Sequence, residues 1–329
     1  MTAGKGTAPS ETSPALHRFI VFTGVCAFFL LIAGALVTSN DAGLAVPDWP
    51  LSYGSLLPPM TGGILFEHGH RMVAGFVSLL TVVLALWAWL REPRRWVRRF
   101  AAAALALIVV QAVLGGITVL FYLPAAISTA HAAAAQLYFC AIVALALFTA
   151  RWWQSPLPAL DDAVPPSLRA IASATAGVIF LQLVLGAAFR HNGFGILPHV
   201  FGAGVVTAMV AWTVTIVFCR FRGVSPLRRA AKLLAGLLLA QLALGIAAYW
   251  AVLYQQQLPQ PYPLPVAITV AHVVTGALTL ATAVWLSLVA FRLFAPEGRF
   301  AAQPAYPPLA QPAAQESREA GRAAPVRLS

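Results

Sequence analysis

The chain has 329 residues, of which 60% are hydrophobic and only 9% charged, with a mean hydropathy of +0.80. A soluble domain needs far more polar surface than this, so lipid is the expected solvent and length counts membrane spans. The formal net charge of +11 raises nucleic acid or an acidic membrane surface as partners, and the positions of the charges decide between them.

A helix needs about 20 mostly apolar residues to cross roughly 30 Å of hydrocarbon. Such stretches lie at 17–38, 67–90, 100–122, 127–150, 168–190, 197–219, 230–252 and 265–292. None alternates with the period of two that a barrel strand requires. The expected fold class is therefore an all-α integral membrane bundle of eight transmembrane helices. Residues 1–16 and the Pro/Ala/Gln-rich tail 293–329 read as disordered, and 151–167 as a linker between two halves, 17–150 and 168–292. The first span, about 22 residues long, exceeds the apolar region of a signal peptide and is kept as a helix.

Arg91, Arg94, Arg95, Arg98 and Arg99 fall between helices 2 and 3, and Arg220, Arg222, Arg228, Arg229 and Lys232 between helices 6 and 7. Arg151 and Arg169 flank the 4–5 connection. The termini carry the remainder, save Arg71 and Arg190 on the opposite side. This is the positive-inside pattern, which puts both termini in the cytoplasm of an inner-membrane protein and leaves no reason to invoke nucleic acid. Cys26, Cys140 and Cys219 lie within spans or at an inner helix end, so they read as packing residues, with no outward-loop disulfide available.

The eight spans divide into two sets of four. Gln111-Ala-Val-Leu-Gly115 in helix 3 is echoed by Gln182–Gly186 in helix 5 and Gln241–Gly245 in helix 7, and helix 1 keeps Gly34 at the matching place. Helix n matches helix n+4, a parallel duplication into tandem four-helix bundles. The Gln-x-x-Leu-Gly element itself reads as helix packing, since glycine permits close approach.

His70, His131, His199 and His272 recur near the outer ends of the even-numbered helices. Ionisable groups at membrane depth are costly, and four at corresponding places point to a site. One histidine from each of two facing helices is the arrangement that clamps heme iron, pairing helices 2 with 4 and 6 with 8. Copper and zinc also take imidazole, but no tight ligand cluster appears. Arg71 and Arg190 are either heme propionate partners or cations reaching the interface. Glu67 lies one turn before His70, whereas Ile196 holds that place before His199. A carboxyl beside only one site implies proton chemistry there, unless Glu67 simply pairs with Arg71 four residues on. His68 reads as interfacial, His17 as solvated, and His191 has no assigned role.

The first outward loop runs Ser39-Asn-Asp-Ala-Gly-Leu-Ala-Val-Pro-Asp-Trp-Pro50 and is followed by Glu67-His-Gly-His-Arg71. With the duplicated plan and four histidines, this resembles the heme A synthase family of cytochrome oxidase assembly factors, over roughly residues 17–292. The resemblance implies oxidation of the C8 methyl of heme O to a formyl by successive hydroxylations. It implies that His199 and His272 hold a resident heme b through its iron, that His70 and His131 ligate the substrate heme, and that Glu67 is the catalytic carboxylate. A heme O synthase (a farnesyltransferase), oxidase assembly proteins, membrane lipid and a second copy of the chain are the partners it suggests. Many relatives carry paired cysteines in outward loops 1–2 and 5–6; here those loops have none, and Val46 stands before Pro-Asp-Trp-Pro. A non-catalytic two-heme cytochrome in electron transfer is the competing reading. A transporter would place its polar groups near the midplane, which this chain does not.

Overall fold

The computed structural model describes residues 12–155, 160, 165–255 and 262–294. Of the segments expected to be disordered, 1–11 and 295–329 lie outside the described residues, as do 156–159 and 161–164 of the 151–167 linker, whereas 14–16 and 293 are helical. Among the described residues, eight helices are long and apolar enough to cross a membrane, and the chain is a multi-pass membrane protein. They are α1 Pro14–Ser39, α2 Gly62–Arg91, α3 Arg95–Leu120, α4 Ala125–Thr149, α5 Leu168–Arg190, α6 Leu197–Arg220, α7 Ser225–Gln255 and α8 Pro263–Leu293. A one-turn helix, Arg151–Gln154, follows α4.

Punctuation in the sequence sets the boundaries. Pro14, Pro198 and Pro263 occupy first-turn positions, where the missing N–H costs nothing. Pro93 forces Glu92 into an extended conformation and ends α2. Tyr122 and Leu123, both with φ +59°, turn the chain from α3 toward Pro124 and α4. Helix α2 begins at Gly62, five residues before the span expected from hydropathy. Thr61 and Gly62–Phe66 carry it above the apolar run, so Glu67 sits in its second turn and His70 in its third.

Helices α1 to α4 each pack on the next, and α4 returns to α1; α5 to α8 repeat the pattern. The two rings meet where α4 touches α5 and α8, and where α1 touches α8. Accordingly α4 and α8 are the most buried spans. At Gly276 of α8 the side chains of Leu183 from α5 and Gln241 from α7 close in on the bare backbone, the close approach that small residues permit in a membrane. Large apolar side chains such as Phe29, Leu79, Leu86, Leu239 and Trp250 face outward, as a lipid-facing surface requires.

The arginine-rich end is fastened by one buried acid. Glu92 is fully buried; it accepts from Thr12 Oγ1 at 2.6 Å and from Arg94 Nε at 2.6 Å. Arg94 also donates to the Phe148 carbonyl at 2.8 Å and to Thr12 Oγ1 at 2.7 Å. Glu92 thus ties the chain ahead of α1 to the ends of α2 and α4. His17, expected to be solvated, is half-buried with Nδ1 at 2.9 Å from Thr149 Oγ1, because α4 ends beside the first turn of α1. Removing one partner of such a buried pair costs on the order of 3 kcal/mol, whereas exposed sites usually change stability by about 0.5 kcal/mol or less. Glu92→Ala should therefore lower the unfolding temperature of the detergent-solubilised protein well beyond the exposed Arg228→Ala.

Candidate functional site

The four histidines sit at the end of the bundle opposite the arginine-rich one, and share theirs with Arg71 and Arg190. They lie at different distances from their helix starts: α6 begins at Leu197, two residues before His199, while α8 begins at Pro263, nine before His272. What aligns them is the helix before each one. An added Cβ on Gly34 of α1 would fall 3.2 Å from Cε1 of His70, and on Gly115 of α3, 3.2 Å from Cε1 of His131. On Gly186 of α5 it would meet Cε1 of His199 at 2.8 Å, and on Gly245 of α7, Cε1 of His272 at 3.1 Å. Each odd helix thus offers a bare stretch of backbone as the seat for the imidazole of the next even helix. The sequence element read as helix packing is also a seat for imidazole; the recurrence of one glycine and one histidine in each successive helix pair was the signal.

Within each ring the histidine-bearing helices occupy opposite corners; α2 and α4 meet across the first through Thr81 Oγ1 and Tyr138 Oη, 2.5 Å apart. The imidazoles of His199 and His272 bridge the diagonal of the second, with ring centres 6.3 Å apart and planes at 85°. A metal–imidazole bond runs about 2 Å, so two ring nitrogens flanking one ion stand about 4 Å apart, a span these ring centres accommodate. Nδ1 of His70, His131 and His272 is buried without a hydrogen-bond partner. Among the described residues no group of three or more His, Cys, Asp or Glu side chains gathers around a common point. Two imidazoles without further protein ligands suit a metal whose remaining positions are filled by its own macrocycle, so the donor set fits heme. Gln182 Nε2 of α5 lies 3.1 Å from His199 Nδ1 and donates to the His199 carbonyl at 2.8 Å. Gln241 Nε2 of α7 lies 3.4 Å from His272 Nε2.

Among the described residues, only the first ring carries an acid beside its histidines. Glu67 is buried; its Oε2 accepts the Val46 N–H at 2.8 Å and its Oε1 meets Arg71 Nη2 at 2.5 Å. The i,i+4 pairing that was one reading of Glu67 is formed. Arg71 in turn donates to the carbonyls of Asp48 and Leu51, each at 2.7 Å, and of Val46 at 3.3 Å. Its guanidinium is therefore held by the 40–61 loop as well as by Glu67. Arg190 donates to the Thr38 carbonyl at 2.7 Å and stands 3.8 Å from Asp41, joining the end of α5 to the end of α1. His191, just beyond it, is half-exposed.

The loop is folded down on the first ring. Asp48 accepts from the backbone N–H groups of Tyr53 and Gly54 at 2.7 and 2.8 Å; those bonds, the one from Gly54 first, hold its carboxyl below the usual range. Tyr53 donates to the Ala45 carbonyl at 2.7 Å. Val46 is completely buried. His68, expected at the interface, is instead buried with Nδ1 2.7 Å from Ser52 Oγ, because this loop covers it. The ring of Trp49 lies flat against Gly116 of α3, 2.9 Å from where a Cβ would stand, whereas Gly75 has open space around it. Gly116→Ala should dislodge Trp49 and speed limited proteolysis within 40–61, and Gly75→Ala should leave the cleavage rate at that of the parent protein.

Residues 62–201 match the family model described as cytochrome oxidase assembly protein. That stretch contains Glu67, His70, Arg71, His131 and His199; His272 lies beyond it. Similar proteins include a heme A synthase of Bacillus licheniformis, 32% identical over 135 residues, covering 40% of this chain and 45% of that protein. A heme A synthase of Shouchella clausii is 34% identical over 136 residues, 40% of this chain and 44% of its own length. Another, from Chelativorans, is 34% identical over 171 residues, 46% of this chain and 45% of that protein. The matched stretch therefore spans about half the length of these relatives. Residues 62–201 are thus similar to cytochrome oxidase assembly proteins, and the likeness covers less than half of the chain.

Proposed function

We propose that this chain is a heme A synthase, oxidising the C8 methyl of heme O to a formyl by successive hydroxylations in the assembly of cytochrome oxidase. The observation that carries this reading is an asymmetry between two like-built sites. Four imidazoles lie in four glycine cradles, yet a buried carboxylate, Glu67, stands beside one pair only. Electron transfer alone gives no reason for that acid, whereas C–H oxidation and dehydration of a geminal diol both move protons.

In this reading His199 and His272 hold heme b, and His70 and His131 take the iron of heme O. Bound heme b supplies one-electron chemistry. The residues of the chain position and enclose. Trp49, Val46 and the rest of the 40–61 loop exclude water from the first ring, fastened by Glu67 and Arg71. Glu67, one turn from His70, serves as the proton-handling group, and Arg71 and Arg190 are the cations nearest the outer rim for heme propionates. The arginine-rich loops face the cytoplasm of an inner-membrane protein, with both termini on that side. Heme O reaches the site from a heme O synthase, and the product passes to oxidase assembly.

Coexpression with a heme O synthase in a host lacking heme A, followed by chromatography of extracted hemes, tests this. Heme A should appear with the wild-type chain and fall at least about 100-fold, the lower range for loss of a proton-transfer group, with Glu67→Ala, and be lost with His70→Ala. Tightly bound heme b with no heme A or hydroxylated heme, despite abundant heme O, would make the protein an electron-transfer cytochrome.

A further inference from the structure

The two imidazole pairs share a glycine seat but differ in what meets their nitrogens. In the second ring an amide stands against each: Gln182 at 3.1 Å from His199 Nδ1, and Gln241 at 3.4 Å from His272 Nε2. Both glutamines lie four residues before the cradle glycine, one helical turn away. In the first ring Leu30 occupies that place on α1, while Gln111 of α3 holds it beside His131. Oε1 of Gln111, like that of Gln182 and Gln241, is buried without a partner, and so are Nδ1 of His70, His131 and His272.

Building on the proposed heme sites, we propose that Gln182 and Gln241 are positioning residues that set the strength of the His199/His272 ligand pair, and that Leu30, at the one seat without such an amide, leaves His70 the weaker, exchangeable ligand of the first ring. When iron takes one nitrogen of a neutral imidazole, the other carries the proton and becomes a donor. Oε1 of Gln182 and of Gln241 are acceptors, buried and without a hydrogen-bond partner, and a turn of the amide, which for Gln182 gives up the bond from Nε2 to the His199 carbonyl, brings each to its ring. A hydrogen bond accepted from the outer ring N–H makes the imidazole a stronger donor to the metal and fixes its orientation. That is the property a resident heme needs and a transiently bound substrate heme does not.

The test is a spectroelectrochemical titration of the purified heme-loaded protein, following the heme that His70→Ala leaves in place. Gln182→Leu removes the acceptor and should raise that midpoint potential; Gln182→Glu offers a stronger acceptor and should lower it. Gln111→Leu should leave it where it is. Opposite shifts for Leu and Glu separate ligand tuning from packing, which moves both the same way. Shifts of the same sign, or none in either variant, overturn the inference. If Gln182→Leu fails to hold heme, Gln182→Glu and Gln241→Glu decide it alone, each by a lowered potential. A wild-type protein that binds no heme overturns both this inference and the function proposed above, whereas opposite shifts in a protein that makes no heme A uphold the inference and reject the enzyme.

Discussion

A bare backbone against an imidazole is the contact on which the rest depends. A histidine in a membrane helix has a bulky polar ring and nowhere to put it unless the neighbouring helix yields space. Here each odd helix yields it with one glycine: Gly34, Gly115, Gly186 and Gly245. The seats fix which helices pack together, because a side chain at any of these four positions would push the ring out of place. They fix the pairing as well, since each seated ring belongs to a corner helix and faces its counterpart across the bundle rather than its neighbour along the ring. For His199 and His272 the outcome is a separation of 6.3 Å with crossed planes. Two rings of helices built on one plan then share the α4 and α8 centre.

Against that common plan the differences carry the specificity. The first ring has a loop folded over it, held by Val46, Trp49, Glu67 and Arg71, and an acid within a turn of its histidine. The second ring has glutamine amides against its imidazoles and no carboxylate in the matching place. One ring is thus covered and has an acid beside its histidine, and the other has amides against its imidazoles. The buried Glu67–Arg71 pair makes sense only with both its partners and the loop carbonyls in place, because either charge alone would be stranded at membrane depth. Fastening the loop and handling protons are compatible duties for one carboxylate.

Much of this was legible before any coordinates. Composition and hydropathy determine eight spans, because lipid imposes length and apolarity on every crossing helix, and repeated histidines at costly depth mark the site. The relation of Gly34 to His70 was also open to reading, since glycine and histidine recur together in all four helix pairs; it was hidden because glycine in a membrane helix usually serves packing. The α2 start was missed because hydropathy does not see Thr61 and Gly62 lifting the helix above the apolar run. His68 and His17 were misplaced for another reason. Their surroundings are made by distant segments, the 40–61 loop and the end of α4, and no local pattern announces a tertiary contact.

Low-temperature electron paramagnetic resonance of the heme-loaded protein tests the cradle account most directly. Two low-spin ferric signals of bis-imidazole character are expected, one for each ring. Gly186→Ala should disturb one of them and Gly34→Ala the other, each leaving its companion intact. A single signal, or two signals that neither alanine alters, would contradict the account, because the four glycine seats would then not be what holds the ligands in place.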